Sequence, residues 1–392
     1  MANTRSALYS AVGSEITRYE VGIKDASLTR RETIRVLANV QYAWPHPLRR
    51  YLYVATSNRG AGLKADSNHV SAFRIDPETG ALTPHGEPQR QYARAVHICV
   101  HPSGEYLLSG HNLPRTGLTV NPILPDGTIG PEIGQQDGID YGIYPHQVMA
   151  TPSGRAAMLI DRGNDPDGDQ PEDPGALRFY GFDRGKLSPL ASIAPNWGYG
   201  FGPRHLDFHP SKPWMYVSLE RQSLLYMYRF AGEAIEPVAA YVRETLIDPK
   251  GIKPRQHAGT IHVHPDGRHV YLANRADWTV DHGGTKAFGG GENNIAVYSI
   301  DSGTGEPTLI QHADTHSFHV RTFAFDPTGQ LMVTASIKPL AVRDSTGIKV
   351  VPAALSVFRV GKDGRLDFVR RFEVPTNGEI HYWMGIIGLP EH

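Results

Sequence analysis

Cysteine is nearly missing from this chain: 392 residues carry one, Cys99. No internal disulfide can form, and no CxxC pair offers a thiolate zinc site. Long apolar runs are missing too. No stretch of about 18 consecutive apolar residues occurs, so no membrane span is expected. The segment from Met1 to Arg18 has no apolar core followed by a small-residue cleavage site, and the cytoplasm is the expected compartment. Neither sign of charge is in surplus: 39 Lys and Arg stand against 40 Asp and Glu. A nucleic-acid binder needs excess cations on one face to displace counterions, so no such partner is expected. No helical period runs over any long stretch. No GxSxG marks a nucleophilic serine.

What is present is turn chemistry: 41 glycines and 30 prolines, with 19 histidines. A short pattern recurs, in which an apolar run leads to a polar residue with Pro, then a Gly or substitute, then a second apolar run. It reads HPLRRYLYV from His46, HPSGEYLLS from His101, TPSGRAAML from Thr151, HPSKPWMYV from His209, HPDGRHVYL from His264 and DPTGQLMVT from Asp326. Proline presets φ and Gly or Asp supplies the turn, so each is a tight hairpin between two strands. The prolines fall at 47, 102, 152, 210, 265 and 327, which are 55, 50, 58, 55 and 62 residues apart. That loose period suits a radial array of small sheets.

A second half-repeat follows each hairpin, as in VSAFRIDPETGALTP from Val70, LRFYGFDRGKLSP from Leu177 and LSVFRVGKDGRLDF from Leu355. The copy from Leu118, LTVNPILPDGTIGP, is the weakest. Alternating β-branched and aromatic residues around Asp-Gly or Thr-Gly turns mark strand pairs. A seventh copy opens the chain at Ile16, after one strand from Ser6, and its missing strand is expected from IHYWMGIIG at Ile380. Six complete units and one split unit predict an all-β, seven-bladed β-propeller. Its blades are four-stranded and antiparallel, and the ring is closed by N- and C-terminal strands in one blade. A large β-sandwich would not explain the split repeat. The expectation is a single propeller domain over 1–392, monomeric or weakly homo-oligomeric.

In that fold the start of each first strand and the end of each second strand meet at one mouth of the central channel. His97, His146, Arg204, His205 and Arg321 lie five or six residues before the hairpin prolines, with His257 just upstream of the fifth hairpin's strand. Asp161, Glu220 and Arg275 lie at ends of second strands. Ionisable groups are costly to hold in a narrow channel unless they pair or meet a ligand. Three insertions, Gly163 to Pro174, Trp278 to Glu292 and Ile337 to Ala354, are expected as long loops at the same mouth.

The segments GPRHLDFHPSKPWMYVSLE (Gly202 to Glu220), HVHPDGRHVYLANR (His262 to Arg275) and VSAFRIDPETGAL (Val70 to Leu82) resemble the seven-bladed propeller lactonases. That family includes bacterial 6-phosphogluconolactonase and a fungal muconate lactonising enzyme. The resemblance implies catalytic roles for His146 in YPHQV, Arg204 and Glu220. It also places a further arginine near Arg275, and the convergence at one mouth adds expected substrate contacts from His97, His205, His257 and Arg321. Arg255 departs from the family pattern, lying further upstream with His257 intervening. The activity implied is hydrolysis of the lactone of an anionic sugar acid by acid–base activation of water, with no cofactor and no metal. The partner is then a small anionic lactone or carboxylate. Cys99 lies inside a first strand and is expected to pack rather than react. Three other readings stand beside this one. The first is an intramolecular lyase of the muconate lactonising type. The second is a metal-dependent hydrolase using His97, His146, His205 and His257. The third is a binding propeller without catalysis.

Overall fold

The computed structural model describes residues 5–59 and 66–390. Apolar side chains alternating with polar ones dictate strands, and Asp-centred turns stop them. Asp76, for example, accepts hydrogen bonds from the N–H groups of Glu78 and Thr79, closing the turn of DPETG.

The strands form seven main sheets among the described residues, all antiparallel. The first has the order Ser27–Arg35, Glu15–Gly22, Ser6–Val12, His381–Gly388. The second runs Val40–Pro45, Tyr51–Ser57, Asn68–Ile75, Leu82–Arg90, and the third Arg94–Val100, Tyr106–Leu113, Gly117–Pro122. The fourth runs Pro145–Ala150, Ala156–Asp161, Ala176–Asp183, Lys186–Ile193. The fifth has Pro203–Phe208, Trp214–Leu219 and Leu224–Ala231, edged by Ala234–Ile235 and Tyr241–Glu244. The sixth runs Gln256–Val263, His269–Ala276, Asn294–Ile300, Pro307–Asp314. The seventh runs Val320–Phe325, Leu331–Ser336, Ala354–Val360, Leu366–Glu373. The C-terminal strand thus takes the position that the split repeat leaves open.

Three departures have local causes. The third sheet ends after three strands, with only an isolated bridge between Ile123 and Ile129, because Pro122, Pro125 and Pro131 remove ladder donors. The fifth sheet's edge is broken around Pro237 into two short strands for the same reason. Two of the insertions expected as loops are hairpins, Thr279–His282 with Thr285–Phe288 and Leu340–Asp344 with Gly347–Val351. Thr285–Phe288 lies against Leu340–Asp344, and Arg343 Nη1 donates to His282 Nδ1 at 3.0 Å. Among the described residues no helix is long and apolar enough to cross a membrane.

Contacts divide the chain into two compact units. One is Met1–Tyr19, Arg30–Arg204 and Ile387–His392; the other is Glu20–Thr29 and His205–Ile386. In the first, Cys99, Leu108, Val148, Leu159 and Tyr180 form part of a buried cluster, and burial pushes the Cys99 thiol up to about 12. In the second, Trp214, Tyr216, Leu225, Ile261, Leu272 and Tyr298 do the same. Each such side chain contributes about 1.5–3 kcal/mol by leaving water.

The repeated His-Pro turns have a further role. His46 Nε2 donates to the carbonyl of Gly104 at 3.0 Å, and His101 Nε2 to Gly154 at 2.7 Å. His209 donates to Gly267 at 2.8 Å and His264 to Gly329 at 2.9 Å. Each bond links one hairpin turn to the turn of the following sheet. The other ring nitrogen accepts a local N–H, such as Leu48 to His46 or Ser103 to His101. Glycine is needed at the receiving turn. Gly154 has φ +72°, and a Cβ there would lie 2.8 Å from His101 Cε1. Gly154→Ala should therefore destabilise the fold by about 2–4 kcal/mol through left-handed strain and overpacking. His101→Ala should cost about 1–3 kcal/mol by orphaning a carbonyl. Urea unfolding midpoints check both.

Two other histidines are wholly internal. His111 donates from Nδ1 to Ala93 O at 3.1 Å, and His381 from Nδ1 to Ser336 O at 3.1 Å. Burial pushes each down from 6.5 to about 4, against the pull of those carbonyls. The unfolded chain takes up these protons first, so stability is full above pH 6.5 and falls as pH drops toward 4. Each histidine contributes at most about 1.4 kcal/mol per pH unit in that window. Thermal melts between neutral and acid pH should show the fall, and His381→Asn should make it shallower.

Candidate active site

The second unit gathers a polar cluster from four strand ends, buried at Glu220, Arg275, Asp277 and His319. Glu220 follows Trp214–Leu219, Arg275 is the penultimate residue of His269–Ala276, and Asp277 comes directly after it. His319 immediately precedes Val320–Phe325, and Arg255 immediately precedes Gln256–Val263. Glu220 and Arg275 are each only 5% exposed.

Arg275 is the centre. Its Nη2 donates to Glu220 Oε1, and its Nη1 donates to His319 Nε2 at 2.7 Å. A guanidinium has no acceptor, so Nε2 must carry a lone pair. The ring proton of His319 is therefore on Nδ1, which lies 3.5 Å from Asp277 Oδ1. Burial and the Arg275 charge push His319 down from 6.5 to about 3, against the opposing pull of Asp277. It is a neutral imidazole with a defined tautomer. Burial pushes Arg275 down, while Glu220 holds its charge in place.

Asp277 is gripped from the other side. Arg255 binds it bidentately, Nε to Oδ1 at 2.6 Å and Nη2 to Oδ2 at 3.1 Å, and Lys338 Nζ reaches Oδ2 at 3.0 Å. Burial would raise the Asp277 carboxyl, but His319, Arg255 and Lys338 outweigh it and hold the group far below the usual carboxylate range. Two carboxylates thus meet the three cations Arg255, Arg275 and Lys338, and the Arg321 charge is also felt at Arg275. The surplus is positive and suits an anion.

Backbone strain marks the same place. Arg255 and His319 have φ of +56° and +52°. Non-glycine residues in that region cost about 1–3 kcal/mol and persist only where surroundings hold them. One holder is Asn293. Its Oδ1 accepts the N–H of His319 at 2.7 Å and of Ala276 at 3.0 Å, so one amide pins both arms of the cluster.

A second regularity concerns the first strand of five of the sheets. Register shifts fall between Val40 and Tyr42, Ala95 and His97, Pro145 and Gln147, Ala258 and Ile261, and Val320 and Thr322. The residues left over include Gln41, His146 and Arg321. A bulge re-aims its extra side chain and is common beside active sites.

In the first unit His146 is buried at such a bulge. Asp161, on the partner strand, accepts the N–H of Tyr144 at 2.8 Å and of Ile143 at 3.1 Å, fixing the approach to His146. Arg204 is almost wholly buried, and so is His97, whose ring lies 3.8 Å from that of Tyr42. In the second unit Arg321 lies over the Tyr382 ring at 3.9 Å. There too His205 is buried, with Ser218 Oγ bonded to both its N–H and its carbonyl, and His257 pairs with Arg275 across the ladder.

A family model described as "Lactonase, 7-bladed beta-propeller" matches residues 5–343. This chain belongs to that family. Its seven sheets are the blades, and the pairing of His381–Gly388 beside Ser6–Val12 completes the first of them. The lactonase chain is 25% identical over 341 residues to the 6-phosphogluconolactonase of Bacillus subtilis, covering 84% of this chain and 86% of that one. It is 25% identical over 330 residues to the 6-phosphogluconolactonase of Pectobacterium carotovorum, with the same coverage of 84% and 86%. Its fold matches the periplasmic gluconolactonase of Pseudomonas aeruginosa with a TM-score of 0.74 at 20% identity, over 99% of this chain and 100% of that chain.

Within the second unit, Glu220 and Arg275, both expected at the site, are joined by a hydrogen bond. Asp277, His319, Lys338 and Asn293 escaped the sequence reading. His319 sits two residues before Arg321, two steps outside the strand-start window, and Asp277 is one step past the second strand. Widening the window by two residues would have caught both. Lys338 and Asn293 lie inside or beside insertions and carry no such signal. Among the described residues, no three His, Cys, Asp or Glu side chains are grouped to hold a metal ion. His319 should stay neutral and Nδ1-protonated from about pH 8 to pH 5. Long-range 1H–15N spectra, assigned with His319→Gln, check this; a midpoint near its ordinary value would refute it.

Proposed function

We propose that this chain hydrolyses the ring ester of a small lactone derived from a sugar acid, releasing an anionic hydroxy acid. The observation that carries the reading is buried Arg275, held between Glu220 and His319 in a cluster with surplus positive charge, in a chain of the lactonase family. Lactone opening needs two things. The carbonyl oxygen becomes an oxyanion when water adds to its carbon, and the ring oxygen needs a proton when its bond to that carbon breaks.

Guanidinium groups suit the first need, because paired N–H donors match an oxyanion or the product carboxylate. Arg275, Arg204 and Arg321 are assigned to it. An imidazole suits the second, since it ordinarily titrates near neutrality. His146 is assigned to take the proton from water and return it to the leaving oxygen. Glu220 is ion-paired with Arg275, so it is assigned to position that arginine. His319 and Asp277 complete the positioning. His205 and His257 are assigned substrate contacts, whereas His97, packed against the Tyr42 ring and without exposed surface, is assigned a packing role. The cytoplasm remains the proposed compartment, supported by a single buried cysteine.

Purified protein should open members of a lactone panel that includes glucono-1,5-lactone and its 6-phosphate, followed by acid release at constant pH. His146→Ala and Arg275→Gln should each lower turnover by about 10²–10³-fold while melting cooperatively. An untouched panel would sink the proposal. Loss of a muconate's ultraviolet absorbance in its place would reassign the chain to intramolecular lyase chemistry.

A further inference from the structure

The first unit carries a feature that the proposed chemistry leaves unused. After Lys186–Ile193 the chain turns through Ala194–Gly202, reading APNWGYGFG. Trp197 is 84% exposed and Tyr199 49%. Asn196 and Trp197 are consecutive non-glycine residues in the left-handed region, at φ +50° and +54°. Such a pair is unfavourable in a free loop.

The exposure does not come from looseness. Tyr199 N–H donates to Asn196 O at 3.1 Å, and Gly175 N–H to Gly198 O at 3.0 Å. Gly200 N–H donates to Glu172 Oε1 at 2.8 Å, and the Phe201 ring is buried below. Backbone meets backbone here: a Cβ on Gly198 would lie 2.4 Å from Gly175 O. A strained, clamped turn thus holds an indole out in water.

The clamp is the insertion Gly163–Pro174, which carries Asp165, Asp167, Asp169, Glu172 and Asp173 and no Lys or Arg. Both segments belong to strand ends that matter. The turn runs within two residues into Arg204, and the insertion starts just after Asp161, whose partner across the ladder is Pro145, next to His146.

We infer that Trp197 and Tyr199 form a subsite for an uncharged sugar ring, carried by the substrate beyond its lactone; this rests on the hydrolase reading above. A flat aromatic face packs on the C–H face of a pyranose, and neighbouring carboxylates accept its hydroxyl hydrogens. The same carboxylates repel phosphate. The substrate class is then an unphosphorylated glycosyl-aldonolactone, with the ring ester toward His146 and Arg204.

Binding is measured first with product acids, which do not turn over, on the full chain. Cellobionate should bind about tenfold more tightly than gluconate by calorimetry. Trp197→Ala should abolish that difference while leaving gluconate affinity within about twofold, and Trp197→Phe should keep part of it. For cellobiono-1,5-lactone, Trp197→Ala should raise KM about tenfold with kcat unchanged, and glucono-1,5-lactone kinetics should not move. Equal wild-type affinities for the two acids, or a difference that survives in Trp197→Ala, would overturn the subsite. Tighter binding of 6-phosphogluconate through Trp197 would overturn its uncharged character. Trp197-dependent cellobionate binding in a protein that opens no lactone would keep the subsite and reject the hydrolase reading. Lactone turnover without that binding would do the reverse.

Discussion

The recurring bond from a turn histidine to a glycine carbonyl in the next turn is the constraint on which the rest of this protein depends. A blade cannot bury both its faces alone, so successive sheets must meet at a fixed spacing. Apolar side chains supply the attraction but not the register. The His46–Gly104, His101–Gly154, His209–Gly267 and His264–Gly329 pairs supply it at four of the junctions, with a directional bond at each. Tyrosines repeat the device at the outer turns, where Tyr53, Tyr216 and Tyr271 donate to Gly127, Gly305 and Gly364. At Gly104, Gly154, Gly267 and Gly329 the receiving glycine is also the gap into which the donor histidine ring fits, whereas Gly127, Gly305 and Gly364 leave room for Tyr51, Trp214 and His269.

Register held at the turns lets the opposite strand ends carry costly groups. Four cations and two carboxylates lie around His319, and Arg255 and His319 sit in strained backbone. Arg275 is buried yet charged because Glu220 neutralises it and His319 takes its other donor. The neutrality of His319 follows from the same bonds. Asn293 and Lys338 draw the insertions into the cluster. The first unit shows a parallel economy at His146, whose bulge is steadied by Asp161.

Much of the fold was legible from residues. Pro, Gly and Asp mark turns through their own dihedral preferences, which act locally, so the hairpins and the split repeat could be counted along the chain. The weakness of the Leu118 copy also showed, in its prolines. The histidines were harder. Nineteen of them looked like a functional excess, yet His46, His101, His209 and His264 serve the turns, and His111 and His381 are internal. Nothing in the sequence separates a histidine aimed at a neighbouring carbonyl from one aimed at a ligand. The insertions at Trp278 and Ile337 read as loops, because their strands are short and are stabilised by each other rather than by pattern.

The sequence by itself determined the strand pattern, the sevenfold count and the pairing of the chain's two ends, because each depends on short-range turn chemistry repeated at a regular spacing. It also singled out Glu220 and Arg275. Only the tertiary structure decided what those residues do for one another. The tautomer of His319, the grip on Asp277, the bulges at His146 and Arg321 and the clamp under Trp197 all depend on distances between strands far apart in the chain. Electrostatic and hydrogen-bond energies change steeply over an ångström, and no local rule of composition or spacing carries that information.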